Sequence, residues 1–325
     1  ESLGLPMSKI RVHATYVGGG FGGKHFQGQP ETVALAMKAN GAPVKVQFTR
    51  EESFQATSLR HPSVITIRTG VKKDGTLVAR KCTVVMDTGA FNERGIMVTK
   101  NGSYASPGPY RIPNVWIDGY TVYTNKPVSG AFRGFGVPQV CWAHEVHTEE
   151  LTEQLDMDPV EFRRKNYFRE GDVNWSGEKL ESVGVEACLE AAFKSIDWPR
   201  KRNHSGNIRR GRGIAIMQKS VTTFASGSTL KINEDGTVNV HVAAVDCGQG
   251  SNTMLGQIVA EELGVRPEDV VMASADTDVG PFDWGTAASR VTFIMGTAVR
   301  RAAIDARNQL IERAADQMEA RPEDL

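Results

Sequence analysis

Val17-Gly18-Gly19-Gly20-Phe21-Gly22-Gly23-Lys24-His25 follows a segment, Ile10 to Val17, in which Val12, Ala14 and Tyr16 alternate with Arg11, His13 and Thr15. That alternation predicts a strand. Glycine loses more conformational freedom on folding than any other residue, and the usual return is a positive φ or close approach of a ligand. Pro30 and Glu31 suit the first turn of a helix running through Thr32 to Asn40 and ended by Gly41. Strand, glycine loop and helix together present backbone N–H groups to an anion. Gly18 to Lys24 has the spacing of a P-loop, but the Ser or Thr that would hold Mg²⁺ is replaced by His25. The loop alone leaves a phosphate cradle and a close-packed turn both open.

The chain has 325 residues, 40% of them hydrophobic, with 38 Lys plus Arg against 38 Asp plus Glu. These values predict a soluble globular protein of two domains. Neutral balance argues against a nucleic-acid partner, and no apolar run approaches the roughly 20 residues that cross a bilayer. Cys82, Cys141, Cys188 and Cys247 form no Cys-x-x-Cys pair, so neither a zinc ribbon nor an iron–sulfur cluster is encoded locally. Unpaired thiols without a signal peptide favour a cytoplasmic location. The chain opens on Glu1 without Met and closes directly after a long helical pattern, which suggests a segment of a longer polypeptide.

Val44 to Phe48 reads as a short strand, and Thr49-Arg50-Glu51-Glu52 as a helix start. Val64 to Val71 and Leu77 to Met86 flank Asp74-Gly75, a strong hairpin signal, and lead into Asp87-Thr88-Gly89. Residues 92–111 read as one long Gly-, Ser- and Pro-rich loop. Val115 to Tyr123 is a strand, and helices are expected over Gln139 to Leu155, from Asp158-Pro159 to Asn166, and over Glu181 to Ile196. The basic stretch 199–212 has no interleaved aromatics and reads as a solvated linker. Beyond it, Ser228 to Asn233, Asp235-Gly236-Thr237 and Val238 to Val245 repeat the earlier hairpin and end in Asp246-Cys247-Gly248. Asn252 to Leu263 is helical, Val270 to Ala275 a strand, and Ser289 to Met318 a long helix. The repeated pattern predicts an α+β fold of two related domains, 1–198 and 213–325, each a mixed sheet with packed helices.

Four small-residue turns share one physical character: Gly18 to Lys24, Gly130 to Gln139, Asp246 to Thr253 and Gly285 to Ser289. Such turns can converge on one large anionic ligand through backbone N–H groups and helix N-termini. Arg133 would add a charged fork, Gln249 an amide, and Thr286 or Ser289 a hydroxyl.

At these residues the sequence resembles the molybdenum-binding subunit of the xanthine dehydrogenase and aldehyde oxidase family, the molybdenum hydroxylases. Gly18-Gly19-Gly20-Phe21-Gly22-Gly23-Lys24, Gly130-Ala131-Phe132-Arg133-Gly134-Phe135-Gly136-Val137-Pro138-Gln139, Gly248-Gln249-Gly250 and Thr286-Ala287-Ala288-Ser289 look like that family's pterin-site loops, in the family's order. The resemblance implies two molybdopterin-binding domains, both incomplete, and a molybdopterin cofactor, in bacteria usually the cytosine dinucleotide form. It implies that Gly19, Gly20, Phe21 and Gly22 lie beside the metal. Arg133, Cys247, Gly248, Gln249, Gly250, Thr286, Ala287, Ala288 and Ser289 would hold the cofactor, with no direct protein ligand to molybdenum. The implied reaction is oxidation of aldehydes or N-heterocycles with water as oxygen source. Electrons would pass to iron–sulfur and FAD subunits or domains in a hetero-oligomer.

Departures from the family pattern are equally specific. The family's glutamate base sits in a Gly-Glu motif near its C-terminus, beyond Leu325, and Gly177-Glu178 is a poor stand-in inside a polar loop. No catalytic residue is therefore assigned, and the chain alone is expected to be inactive. Three residues are expected at the substrate pocket: Phe135, His25 and Asn101. The last two stand where xanthine-oxidising relatives have charged purine anchors, so xanthine is a poor candidate substrate. Two other readings stay open, a P-loop-like nucleotide-binding protein and a non-catalytic scaffold or assembly module of the same fold.

Overall fold

The structure, a computed structural model, describes residues 4–25, 28–196, 198, 206–273 and 275–325. Of the basic stretch 199–212, residues 199–205 lie outside that set, as does Ser274 of the strand expected to Ala275. Two contact units divide the chain: Glu1–Phe21, Gly28–Lys45 and Ser220–Leu325 form one, Gly22–Gln27 and Val46–Lys219 the other.

The first unit opens with α1 (Gln29–Lys38), which begins after Gly28 and has Pro30 in its first turn. The strand expected over Ile10 to Val17 does not form. Its residues make a single bridge, His13 with Asp276, plus the bonds Ala14 N to Ala275 O at 2.9 Å and Thr277 N to Val12 O at 3.1 Å. Val12 N donates to the Thr277 hydroxyl, a side chain, so the ladder stops there. Val44 to Phe48 likewise carries no ladder.

In the second unit Thr49 caps α2 (Arg50–Ala56) reciprocally: its hydroxyl accepts from Glu52 N at 3.2 Å and its N–H donates to the Glu52 carboxylate at 2.7 Å. The expected hairpin is present as β1 (Ser63–Val71) antiparallel to β2 (Leu77–Gly89). Asp74 shapes its turn by accepting from Thr76 N at 3.1 Å. The long loop expected at 92–111 instead contains α3 (Gly95–Ala105), after which β3 (Asn114–Tyr123) pairs parallel to β2. Gly102 disguises this helix by composition and serves it by packing. A Cβ there would stand 2.7 Å from Met86 Cε and 3.3 Å from Gly136 O, so glycine lets α3 lie close against β2.

Helices α4 (Val137–Gln154), α5 (Pro159–Asn166) and α6 (Val185–Ile196) complete this unit. Val84 and Met86 of β2, Val98 and Ala105 of α3, and Val137 and Val140 of α4 form one core; Tyr110, Leu151, Phe162 and Tyr167 anchor a second. Between helices runs a buried polar network. Glu145 accepts from Tyr110 Oη at 2.6 Å, from Arg163 Nε at 3.1 Å and from Ile216 N at 3.0 Å. Burial pushes the Glu145 carboxyl up, yet the His144 contact and the Arg163 guanidinium outweigh it and hold the group below its ordinary value.

The chain then supplies the rest of the first unit. Strand β4 (Thr229–Ile232) is antiparallel to β5 (Val238–His241); α7 (Ser251–Leu263) follows, and β6 (Val270–Met272) returns parallel to β5. Strand β5 ends four residues before the expected Val245, at His241. Each sheet is thus an antiparallel hairpin plus a parallel third strand reached through a helix, the repeat that the two Asp-Gly turns announced. The last expected helix is split: a π-helical turn (Val291–Met295) precedes α8 (Gly296–Met318). Val240, Val242, Leu255, Val259, Met295 and Val299 fill this unit's core.

Candidate functional site

The expected site residues fall in both units, and each set has its own geometry. In the first unit the glycine loop and the 246–250 turn are neighbours: a Cβ on Gly20 would lie 3.5 Å from Cys247 Sγ, and one on Gly248 3.8 Å from Val17 O. Asp246, which the sequence reading did not single out, builds the second turn. Its carboxylate accepts from Gly248 N at 2.9 Å, Gly250 N at 3.4 Å and Asn252 N at 3.0 Å. Those backbone donors, Asn252 first, hold its carboxyl below the ordinary range. The signal was present in Asp-x-Gly, a pattern that favours an Asx-turn.

Gln249 also folds over the turn, accepting from Cys247 N at 2.7 Å and donating to Val245 O at 3.1 Å and to Ser251 Oγ at 3.0 Å. Thr286 brings the fourth loop to the same place. Its hydroxyl donates to Val245 O and accepts from Val245 N, both at 2.8 Å. The exposed turn therefore presents Gly248, Gly250 and Ser289 outward, and a Cβ on Gly250 or Gly285 would meet no protein atom within 4 Å. Helix α7 starts at this turn with Gly250 as an N-cap that offers no side chain.

In the second unit Gly22 packs against the 130–139 loop, where a Cβ would stand 2.9 Å from the Ala131 carbonyl. Arg60, absent from the sequence expectations, holds that loop. It donates to Arg133 O at 2.8 Å and to the Gln139 side chain at 3.2 Å, and its guanidinium lies 4.5 Å from the centre of the Phe132 ring. Asn101 Nδ2 donates to Phe135 O at 2.6 Å, which joins two of the three expected pocket residues; His25 is exposed. Helix α4 begins after Gly136, again without a side-chain cap.

Left-handed non-glycine residues fall at helix C-termini or in these loops. Seven non-glycine residues among those described have positive φ. Asn40, Asp156 and Glu319 sit at the C-terminal ends of α1, α4 and α8, where a left-handed residue is the common way to stop a helix. The other four, Phe21 (50°), Phe135 (52°), Ala288 (52°) and Ser289 (58°), all lie in three of the four loops, the Asp246–Thr253 turn having none. Left-handed non-glycine residues cost roughly 1–3 kcal/mol each and cluster where a ligand is held.

Residues 1–167 match the family model described as a molybdopterin cofactor-binding domain, and residues 190–325 match a second model of the same description. The chain belongs to the molybdopterin cofactor-binding family. Within the molybdenum hydroxylases it is 39% identical, over 97% of its own length, to 44% of the xanthine dehydrogenase molybdenum-binding subunit of Escherichia coli O157:H7. It is 31% identical, over 92% of its length, to 34% of the aldehyde oxidoreductase of Megalodesulfovibrio gigas. Among solved structures, quinoline 2-oxidoreductase from Pseudomonas putida 86 superposes with a TM-score of 0.84 at 25% identity, covering 98% of this chain and 44% of that one. The chain spans less than half the length of these relatives. Two domains of mixed sheet with packed helices are the fold of this chain, and the part of the quinoline 2-oxidoreductase structure that it covers shares it.

The residues fit molybdopterin on this structure's own terms: bare backbone facing open space at Gly250 and Gly285, two helices whose N-termini carry no capping side chain, and left-handed non-glycine residues that, helix C-termini apart, lie in these loops. Among the described residues, no group of three or more His, Cys, Asp or Glu side chains could hold a metal ion directly. No described helix is long and apolar enough to cross a membrane.

Proposed function

We propose that this chain holds molybdopterin, in the cytosine dinucleotide form, within a molybdenum hydroxylase that oxidises aldehydes or N-heterocycles with water as the oxygen source. The observation that carries the reading is that every left-handed non-glycine residue described outside a helix C-terminus, Phe21, Phe135, Ala288 and Ser289, lies in three of the four loops. When bound, the molybdenum centre supplies the two-electron redox chemistry. The chain's residues bind and orient. Gly19, Gly20 and Gly22 let backbone approach the centre, with Phe21 beside it, and Arg133 supplies positive charge to an anionic edge. The turns Cys247–Gly250 and Thr286–Ser289 offer amides and hydroxyls to the pterin and its phosphates.

Phe135 gives the substrate an aromatic face, with its backbone fixed by Asn101. Neither His25 nor Asn101 carries the fixed charge that would anchor a purine, which favours an aldehyde or a neutral heterocycle. Electron transfer to iron–sulfur and FAD partners in a hetero-oligomer completes the proposal, and the division 1–198, 199–212, 213–325 is proposed as one of sequence domains rather than contact units. The P-loop reading lacks support because the strand it needs before Gly18 is a single bridge.

The test is a substrate panel with an artificial electron acceptor, run on the parent polypeptide with its partners, together with mass analysis of the released pterin. Turnover of aldehydes or neutral heterocycles and a cytidine-bearing pterin support the reading. Turnover of xanthine alone, or ATP binding lost in Lys24→Ala, contradicts it.

A further inference from the structure

Arg290 stands one residue beyond Ser289 and its side chain is fully buried in the first unit. Among the described residues, its two terminal nitrogens donate to backbone and side chains of two short segments. One terminal nitrogen donates to the Asp283 carboxylate at 2.6 Å and to Gly285 O at 3.1 Å. The other donates to Phe224 O, to Ala225 O at 3.0 Å and to Ser226 Oγ at 2.8 Å. Asp283 is in turn held by Ser226 Oγ at 2.5 Å and by Gly285 N at 3.1 Å, and the Trp284 and Phe224 rings lie tilted by 37° with centres 4.8 Å apart.

All these partners lie either in 283–285, at the entry to the 285–289 turn, or in the 224–226 segment. A buried ion pair is by itself weak evidence of stabilisation, because desolvation offsets the attraction. What the planar fork adds is geometry, since several acceptors at fixed angles define one position for the chain that carries them. That position is needed here. Ala288 and Ser289, directly before Arg290, are both left-handed, and directly after it Val291–Met295 form a π-helical turn. Two strained features flank one clamped residue, and π-turns recur at functional sites.

We propose that Arg290 is the positioning residue that holds the Thr286–Ser289 turn in its left-handed shape for the pterin, which rests on the reading of this chain as a molybdopterin holder. Lysine cannot replace it, because a single ammonium cannot reach Asp283 and the 224–225 carbonyls from two sides at once.

Arg290→Lys tests this by amide hydrogen exchange on the chain, and by the rate at which the loaded parent protein loses pterin. Exchange across 283–289 should accelerate roughly tenfold while that of β2 in the other unit stays unchanged, the mark of local opening. Pterin loss should accelerate by a similar factor. Leu255→Ala, a buried truncation elsewhere in this unit, should lower the melting temperature more and yet leave pterin loss within roughly twofold of wild type. Unchanged exchange in the turn overturns the proposal, and so does a loosened turn with unchanged pterin loss, or equal pterin loss in Leu255→Ala. If Arg290→Lys does not fold, Ser226→Ala, which removes one arm of the clamp, decides by the same readings at roughly threefold. Failure of the proposal leaves wild-type pterin content intact, whereas failure of the underlying reading removes pterin from wild type itself.

Discussion

The hydroxyl of Thr286 and the main chain of Val245 are joined by two hydrogen bonds of 2.8 Å, one in each direction. This clasp ties the turn after β5 to the turn before α8, forty-one residues apart along the chain. Replacing Thr286 by Val keeps the shape and removes both bonds. Each is worth about 1 kcal/mol, so a loss of roughly 1–2 kcal/mol is expected. Urea unfolding of Thr286→Val against wild type measures it; an unchanged midpoint would show that the clasp carries no load.

Gly136 supports a second prediction. Its φ is +90°, and a Cβ there would stand 2.6 Å from the backbone carbonyl of Val98 in α3. Gly136→Ala therefore meets both a strained conformation and a backbone obstacle, with a combined cost of at least about 2 kcal/mol. Thermal unfolding reads the cost, and a variant as stable as wild type would mean that α3 and the 130–139 loop are free to separate.

The buried pair in the second unit gives a third. Glu145→Gln keeps the volume but leaves Arg163, whose side chain is fully buried, with half-buried Glu149, its Oε1 at 2.8 Å, as the remaining ionic partner among the described residues. Breaking such a pair on one side costs about 3–5 kcal/mol. Ile214 and Ile216 are tied to the same two charged residues through backbone groups, so protease sensitivity near 214–216 should rise together with the stability loss. Retained resistance at 214–216 in the destabilised variant would show that the network does not anchor that segment.

Asp87 sets an acid limit. Lys126 Nζ at 2.8 Å and the Thr124 hydroxyl at 2.6 Å, the two largest causes, hold its carboxyl down to about 2. A carboxyl of lower pKa in the folded than in the unfolded chain stabilises the fold fully above the unfolded value, roughly 4, and loses that contribution as pH falls through the folded value. Stability should therefore decline between about pH 4 and pH 2, and Lys126→Met should flatten the decline while lowering stability at pH 7. Parallel pH profiles for the two proteins would remove Asp87 as the cause.

Much of the architecture was legible because its signals are local. Asp74-Gly75 and Asp235-Gly236 each fix a hairpin by turn chemistry, and Asp158-Pro159 starts α5 with the Asp158 carboxylate accepting from Val160 and Glu161 N–H groups. The errors share one cause, dependence on distant partners. Helix α3 contains Gly95 and Gly102 because β2 passes too close for a side chain, and composition alone reads that as loop. Ile10 to Val17 has strand alternation, but its partners at 275–277 supply a bridge rather than a ladder. The site followed the same division. The four loops announced themselves through small residues and Asp246 through its local Asp-x-Gly pattern, whereas Arg60 and Arg290 act on the backbone of Arg133 and Ala225, which only the folded chain brings to them.

The central claim is that bare backbone in these loops makes room for molybdopterin. Gly20 tests it most directly, because its φ is ordinary and a Cβ would make only normal contact, 3.5 Å from Cys247 Sγ, so the fold has no need of glycine there. The measurement is molybdenum and pterin bound per polypeptide, for wild type and Gly20→Val, purified as the parent protein from a host that makes the cofactor. Near-stoichiometric molybdenum and pterin in wild type, falling at least roughly tenfold in Gly20→Val at an unchanged melting temperature, is the expected result, a loss of about 1.4 kcal/mol or more in binding. Folded wild type without pterin, or a Gly20→Val protein that keeps its full complement, would contradict it.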